Sequence, residues 1–139
     1  MFRKIVLAND GSDQAFNALS LAVQIARRDH AELHMVSVEK RGQMPELVEE
    51  VVAGNVAAPA RFDPIIRRAR FLAEASQVAF HTHILVGNPP LEVVKLASDL
   101  GADLIVVGSC GHSDLYDRMI GNYARRILYH AQCSVLVIT

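Results

Sequence analysis

The sequence predicts an α/β fold: an open five-stranded parallel sheet with helices on both faces. Three observations predict it. Short apolar runs alternate with amphipathic stretches of helical period along the chain, and the runs that feed helices are closed by Asn, Asp, Gly or Pro. No internal repeat interrupts the alternation, so the strands are joined by right-handed helical crossovers that cover both faces.

Lys4 to Ala8 is a buried strand stopped by Asn9-Asp10-Gly11-Ser12, with Ser12 placed to cap the next helix. That helix runs from about Asp13 to Arg28. Phe16, Leu19, Val23 and Ala26 recur at three- and four-residue steps, with Ala15, Ala22 and Ile25 alongside, as one buried stripe. Glu32 to Val38 forms the second strand. From Glu39 to Arg61 the period is lost, although Pro45 to Val52 has the pattern of a short helix. Asp63-Pro64 reads as a cap followed by proline in the first turn of a second helix ending near Gln77. Phe80 to Val86 alternates as a third strand and stops at Gly87-Asn88-Pro89-Pro90, where Asn88 caps a helix over Leu91 to Leu100 that Gly101 terminates. Asp103 to Val107 is the fourth strand, Asn122 to His130 the last helix, and Ser134 to Ile138 the fifth strand.

With 139 residues and 51% apolar content, the chain is sized for a single domain over 1–139. A net charge of −1 and a pI near 6.6 give no global attraction for nucleic acid or a membrane surface, so any anion must be held by local donors. Only Cys110 and Cys133 are present, without the spacing of a disulfide framework or a zinc site, which suits a reducing cytoplasm. The first apolar run, Ile5 to Ala8, is too short for a signal peptide or a membrane span.

The chemistry concentrates in Val106-Val107-Gly108-Ser109-Cys110-Gly111, followed after residues 112–120 by Gly121-Asn122. Glycine leaves its backbone open to the close approach of a phosphate, and the amides at a helix start favour negative charge. A tight strand exit and an ordinary helix cap at Asn122 explain the same spacing structurally. In a doubly wound sheet ligands bind outside the carboxyl ends of the strands, the edge to which this reading assigns Asn9, Asp10, Met35, Gly87 and Gly108 to Gly111.

These residues, together with Leu33-His34-Met35-Val36, Val86-Gly87-Asn88-Pro89 and Cys133-Ser134-Val135-Leu136-Val137, resemble the universal stress protein family over nearly the whole chain. Its nucleotide-binding members carry Gly-x-x-Gly, a nine-residue spacer, then Gly-Ser or Gly-Thr, a pattern that residues 108–122 follow closely. The resemblance implies the strand order 3-2-1-4-5, a homodimer through the C-terminal strand, and ATP with magnesium held along the rim. The implied site takes in Ala8, Asn9, Asp10, Met35, Gly108, Ser109, Gly111, His112, Gly121, Asn122 and Tyr123. Within it the Met35 backbone would meet adenine, Asp10 the ribose side, and the glycines with Asn122 and Tyr123 the ribose and phosphates. Asn122 departs from the family's hydroxyl, and His112 stands where a basic residue often follows the glycines. Ser134 replaces a common proline.

Other candidates read more simply. His81 and His83 share a strand face, which suits a metal pair, but no third ligand has an obvious spacing and a polar strand face accounts for them. His34 reads as a packing or hydrogen-bonding residue, and Arg67, Arg68 and Arg70 as a solvated helix face. No catalytic residue and no protein-held metal is assigned. The function expected is a cytoplasmic ATP-binding module linking nucleotide state to a stress response, without a defined catalytic step because the loop has no Walker lysine; a nucleotide-free dimeric scaffold and a slow ATPase are the alternatives.

Overall fold

Lys4–Ala8 (β1) lies at the centre of the sheet, and Ile5, Val6 and Leu7 are 0% exposed because helices cover both of their faces. The computed structural model describes residues 1–40, 60–109 and 120–139. After β1 come Asp13–Asp29 (α1), Glu32–Lys40 (β2), a 3-10 turn at Ala60–Phe62, Asp63–Ala75 (α2) and Phe80–Gly87 (β3). Pro89–Leu100 (α3), Leu104–Gly108 (β4), Asn122–His130 (α4) and Ser134–Ile138 (β5) complete the series. The strands are all parallel in the order β3-β2-β1-β4-β5, so the winding reverses between β1 and β4. Pro45 to Val52 lies outside the described residues.

Strand alternation divides the core in two. Ile5, Leu7, Leu33, Met35 and Val106 face α1 and α2, where Phe16, Leu19, Val23 and Ala69 meet them. Val6, Ala8, Val36, Ile105 and Val107 face α3 and α4, against Val93, Ala97, Ala124 and Ile127. Each fully buried branched side chain contributes on the order of 1.5–3 kcal/mol of transfer free energy.

α2 departs from the sequence reading at both of its ends. Asp63 is not the cap of α2: Phe62, already helical at φ −85° and ψ −17°, holds that position, and no side chain caps the helix. The 3-10 turn delivers the chain already coiled, leaving Asp63 and Pro64 inside the first turn. α2 also ends at Ala75, because Gln77 takes the left-handed conformation (φ 58°) and Val78 N–H donates to Ala73 O at 3.0 Å. At the starts of α1 and α3 and the end of α3 the signals hold: Ser12 Oγ accepts from Ala15 N–H, Asn88 Oδ1 accepts from Leu91 N–H, and Gly101 (φ 68°) closes α3. β4 starts at Leu104, and just before it the Asp103 N–H donates to Lys4 O while its carboxylate accepts the Arg3 and Lys4 amides.

Candidate functional site

The carboxyl end of β1 opens into a turn whose polar groups brace one another. Asn9 is 2% exposed and fully engaged: its N–H donates to Val36 O, its carbonyl accepts from Ser37 Oγ, Oδ1 accepts from Gly11 N–H, and Nδ2 points at Met35 Sδ. Asn9 therefore holds the turn in shape. Asp10 follows on the exposed side, and its Oδ1 accepts from Ser12 N–H at 2.9 Å. Ala8 is buried against α3 and α4.

Met35 sits lower than the rim position assigned to it. It pairs in register with Leu7 and Thr82, its side chain is 1% exposed, and β2 continues to Lys40 before reaching the edge. The upper end of β2 instead carries Glu39, buried and ion-paired with Arg61, which the sequence reading did not single out. A lone glutamate beside a stretch without period carries no signal of its partner.

The glycine segment and the start of α4 meet directly. Ser109 N–H donates to Ile138 O, and Ser109 O accepts from Gly121 N–H, both at 2.7 Å, so the chain returns to the point from which it left β4. Ser109 Oγ donates to Gln14 Oε1 at 3.2 Å, tying this junction to the first turn of α1. Gly108 is small for a packing reason: a Cβ there would stand 3.2 Å from Gln14 Cβ and 3.4 Å from the Gln14 carbonyl carbon. Gly121, not Asn122, is the N-cap of α4, and its N–H is committed to Ser109. The amides of Asn122, Tyr123 and Ala124 open the helix without intrahelical acceptors, and Asn122 is exposed. Burial pushes the Tyr123 phenol well above its ordinary range, and the negative Asp10 adds to the shift, so the two residues act on each other across the rim. Gly111 and His112 lie outside the described residues.

The described rim thus joins Asp10, the Gly108–Ser109 strand end and the open start of α4. One carboxylate suited to hydroxyl groups and several backbone donors suited to phosphate oxygens converge there. No helix among the described residues is long and apolar enough to cross a membrane.

A family model described as the Universal stress protein family matches residues 1–139. A universal stress protein of Methanocaldococcus jannaschii is 32% identical to this chain, the match covering 99% of the chain and 82% of the relative. The universal stress protein YxiE of Bacillus subtilis is 31% identical, with 99% of each covered. Among solved structures, the universal stress protein UspA from Lactobacillus plantarum superposes with a TM-score of 0.81 at 27% identity, covering 99% of this chain and 97% of that one. A universal stress protein crystallised in complex with cAMP superposes with a TM-score of 0.77 at 28% identity, with the same coverage.

Proposed function

Because the chain belongs to the universal stress protein family, we propose that it is an adenine-nucleotide binding module, with magnesium-bound ATP as its ligand and no built-in catalytic step. The observation that carries this reading is the Gly121 N–H bond to Ser109 O at 2.7 Å, which brings the end of β4 and the start of α4 to one point. The complex of a relative with cAMP supports an adenine nucleotide as the class of ligand.

In this reading the phosphates lie against the Asn122, Tyr123 and Ala124 amides and the Gly111 to His112 segment. The amides bring no charge of their own, so the helix dipole supplies the field. Asp10 accepts from a ribose hydroxyl or from a magnesium-bound water. Asn9, Met35 and Gly108 act as framework: Asn9 braces the turn, Met35 lies under it, and Gly108 lets α1 approach. Ala8 and Ser109 contribute backbone at the tops of β1 and β4. Magnesium would neutralise phosphate charge in a loop that has no Walker lysine, which favours holding the nucleotide over cleaving it. A cytoplasmic stress-response role and pairing of two copies through β5 complete the proposal.

Calorimetry with ATP, ADP, AMP and cAMP in magnesium buffer tests it. Saturable heat with at least one nucleotide is expected, and Gly111→Val should abolish it while circular dichroism stays that of the folded protein. No heat with any of the four at millimolar concentration, roughly the weak end of specific binding, returns the protein to a nucleotide-free scaffold.

A further inference from the structure

At the opposite end of the strands, the β2–β3 register builds a cluster that no single stretch of sequence contains. His34 pairs with His81, and their rings stack with centroids 4.6 Å apart. Glu32, on the same face of β2, sets its carboxylate 3.9 Å from His34 Nε2 and 3.9 Å from His81 Nε2. Those three ligand atoms all lie within 4.8 Å of one another. His83 closes the cluster, its Nε2 2.9 Å from His34 Nδ1.

The informative atom is His34 Nε2. His34 is 7% exposed, and this nitrogen is buried without a hydrogen-bond partner, whereas buried side-chain polar atoms are ordinarily satisfied. With the proton on Nδ1, His34 donates to His83 Nε2 and turns the lone pair of its own Nε2 toward Glu32 and His81. The stacked His81 ring and the Glu32 carboxylate are half-exposed, so water and ions reach the cluster from that side.

We propose that Glu32, His34 and His81 form a divalent transition-metal site, with zinc as its ion and His83 as the outer partner that orients His34. Two imidazoles and one carboxylate suit zinc, whose bonds of about 2.0–2.2 Å place tetrahedral ligand atoms roughly 3.3–3.5 Å apart. The two 3.9 Å contacts run to different Glu32 oxygens, and the three ligand atoms span up to 4.8 Å, so the set closes by roughly 0.5–1.5 Å on binding, a shift that rotation of the half-exposed Glu32 and His81 side chains supplies. An outer histidine fixing the tautomer of a ligand is the usual way in which such a ligand is held. Three protein ligands leave the fourth position to water. Lys4 Nζ, 3.9 Å from Glu32 Oε2, competes for the carboxylate, but it also donates to Leu100 O and keeps that bond when zinc enters.

Zinc chloride titrated into the untagged, metal-free full chain against a chromophoric chelator tests the site. One zinc per chain is expected, with Glu32→Gln and His81→Gln each weakening binding at least tenfold and His130→Gln, on the far end of α4, leaving it unchanged. Because Glu32 and His81 are half-exposed, these variants keep the fold, and zinc should raise Tm in the wild type and not in His81→Gln. Equal zinc uptake by wild type and His81→Gln, or equal loss in His130→Gln, overturns the proposal. Nucleotide binding, at the other end of the strands, is measured in the same variants and should not change, so the two sites fail or stand separately.

Discussion

Asp29 shows how one residue carries charge for the fold. Its side chain is 6% exposed, Arg28 Nε donates to it at 2.8 Å, and the Phe2 amide donates at 3.0 Å. The Arg28 contact, followed by the Phe2 amide, holds the carboxyl well below the usual carboxylate range. Because the folded state keeps this group ionised at pH values where the unfolded chain protonates it, the stabilisation is full above about pH 4 and is lost as pH falls below that value. Asp29→Asn should lower the urea midpoint at pH 7 and flatten its decline between pH 5 and pH 2.5, roughly the window below the unfolded value; a decline as steep as that of the wild type would remove Asp29 from the acid response. Gly108 makes the complementary point about space. Gly108→Ala brings a methyl group to 3.2 Å from Gln14 Cβ, which the helix backbone holds in place, so it should cost about 1–3 kcal/mol in denaturant unfolding and also weaken the proposed nucleotide binding by moving Ser109.

At the scale of the element, chain reversals separate what the sequence discloses from what it does not. Gly101 closes α3 at φ 68° with open space where a Cβ would stand, so Gly101→Ala costs backbone strain alone, about 1 kcal/mol, and should leave binding untouched. Gln77 does the same work for α2 at φ 58° without glycine's freedom, so Gln77→Gly should raise stability by up to about 0.5 kcal/mol. Thermal unfolding of the two variants checks both signs. The end of α3 is legible because glycine announces it, whereas the end of α2 is not, because nothing in the residue type marks Gln77 as left-handed. Strands were legible for a similar reason: their apolar period reports burial, and burial is what forms them. The meeting of Ser109 with Gly121 follows from spacing within one segment, but the grouping of Glu32, His34, His81 and His83 depends on strand register, which comes from packing and has no local signal.

For the whole molecule, the strand order decides which surfaces remain to be covered. β3 and β5 are the two edges, and they differ in kind. β3 carries His81, Thr82 and His83, polar groups that discourage pairing, while β5 is Ser134-Val135-Leu136-Val137-Ile138 without a charge or a proline. Ile138 O is turned inward to Ser109 N–H, and the amides of successive residues in a strand point to alternate sides, so the Val137 N–H and C=O face outward. In the proposed dimer the outward row of β5 pairs with the same strand of a second copy across a two-fold axis, which would continue the sheet antiparallel and remove its most apolar edge. Leu136 is a poor probe of that pairing because it packs on the core of its own chain. Val137→Pro is a better one, since it deletes an outward donor and keeps the bonds to β4, the one setting in which an edge strand tolerates proline. Sedimentation velocity should show a dimer for the wild type at roughly tens of micromolar, a range in which a modest interface holds, and a monomer for Val137→Pro with its circular dichroism unchanged. A wild-type monomer, or a dimer that survives Val137→Pro, would place any association elsewhere than on β5.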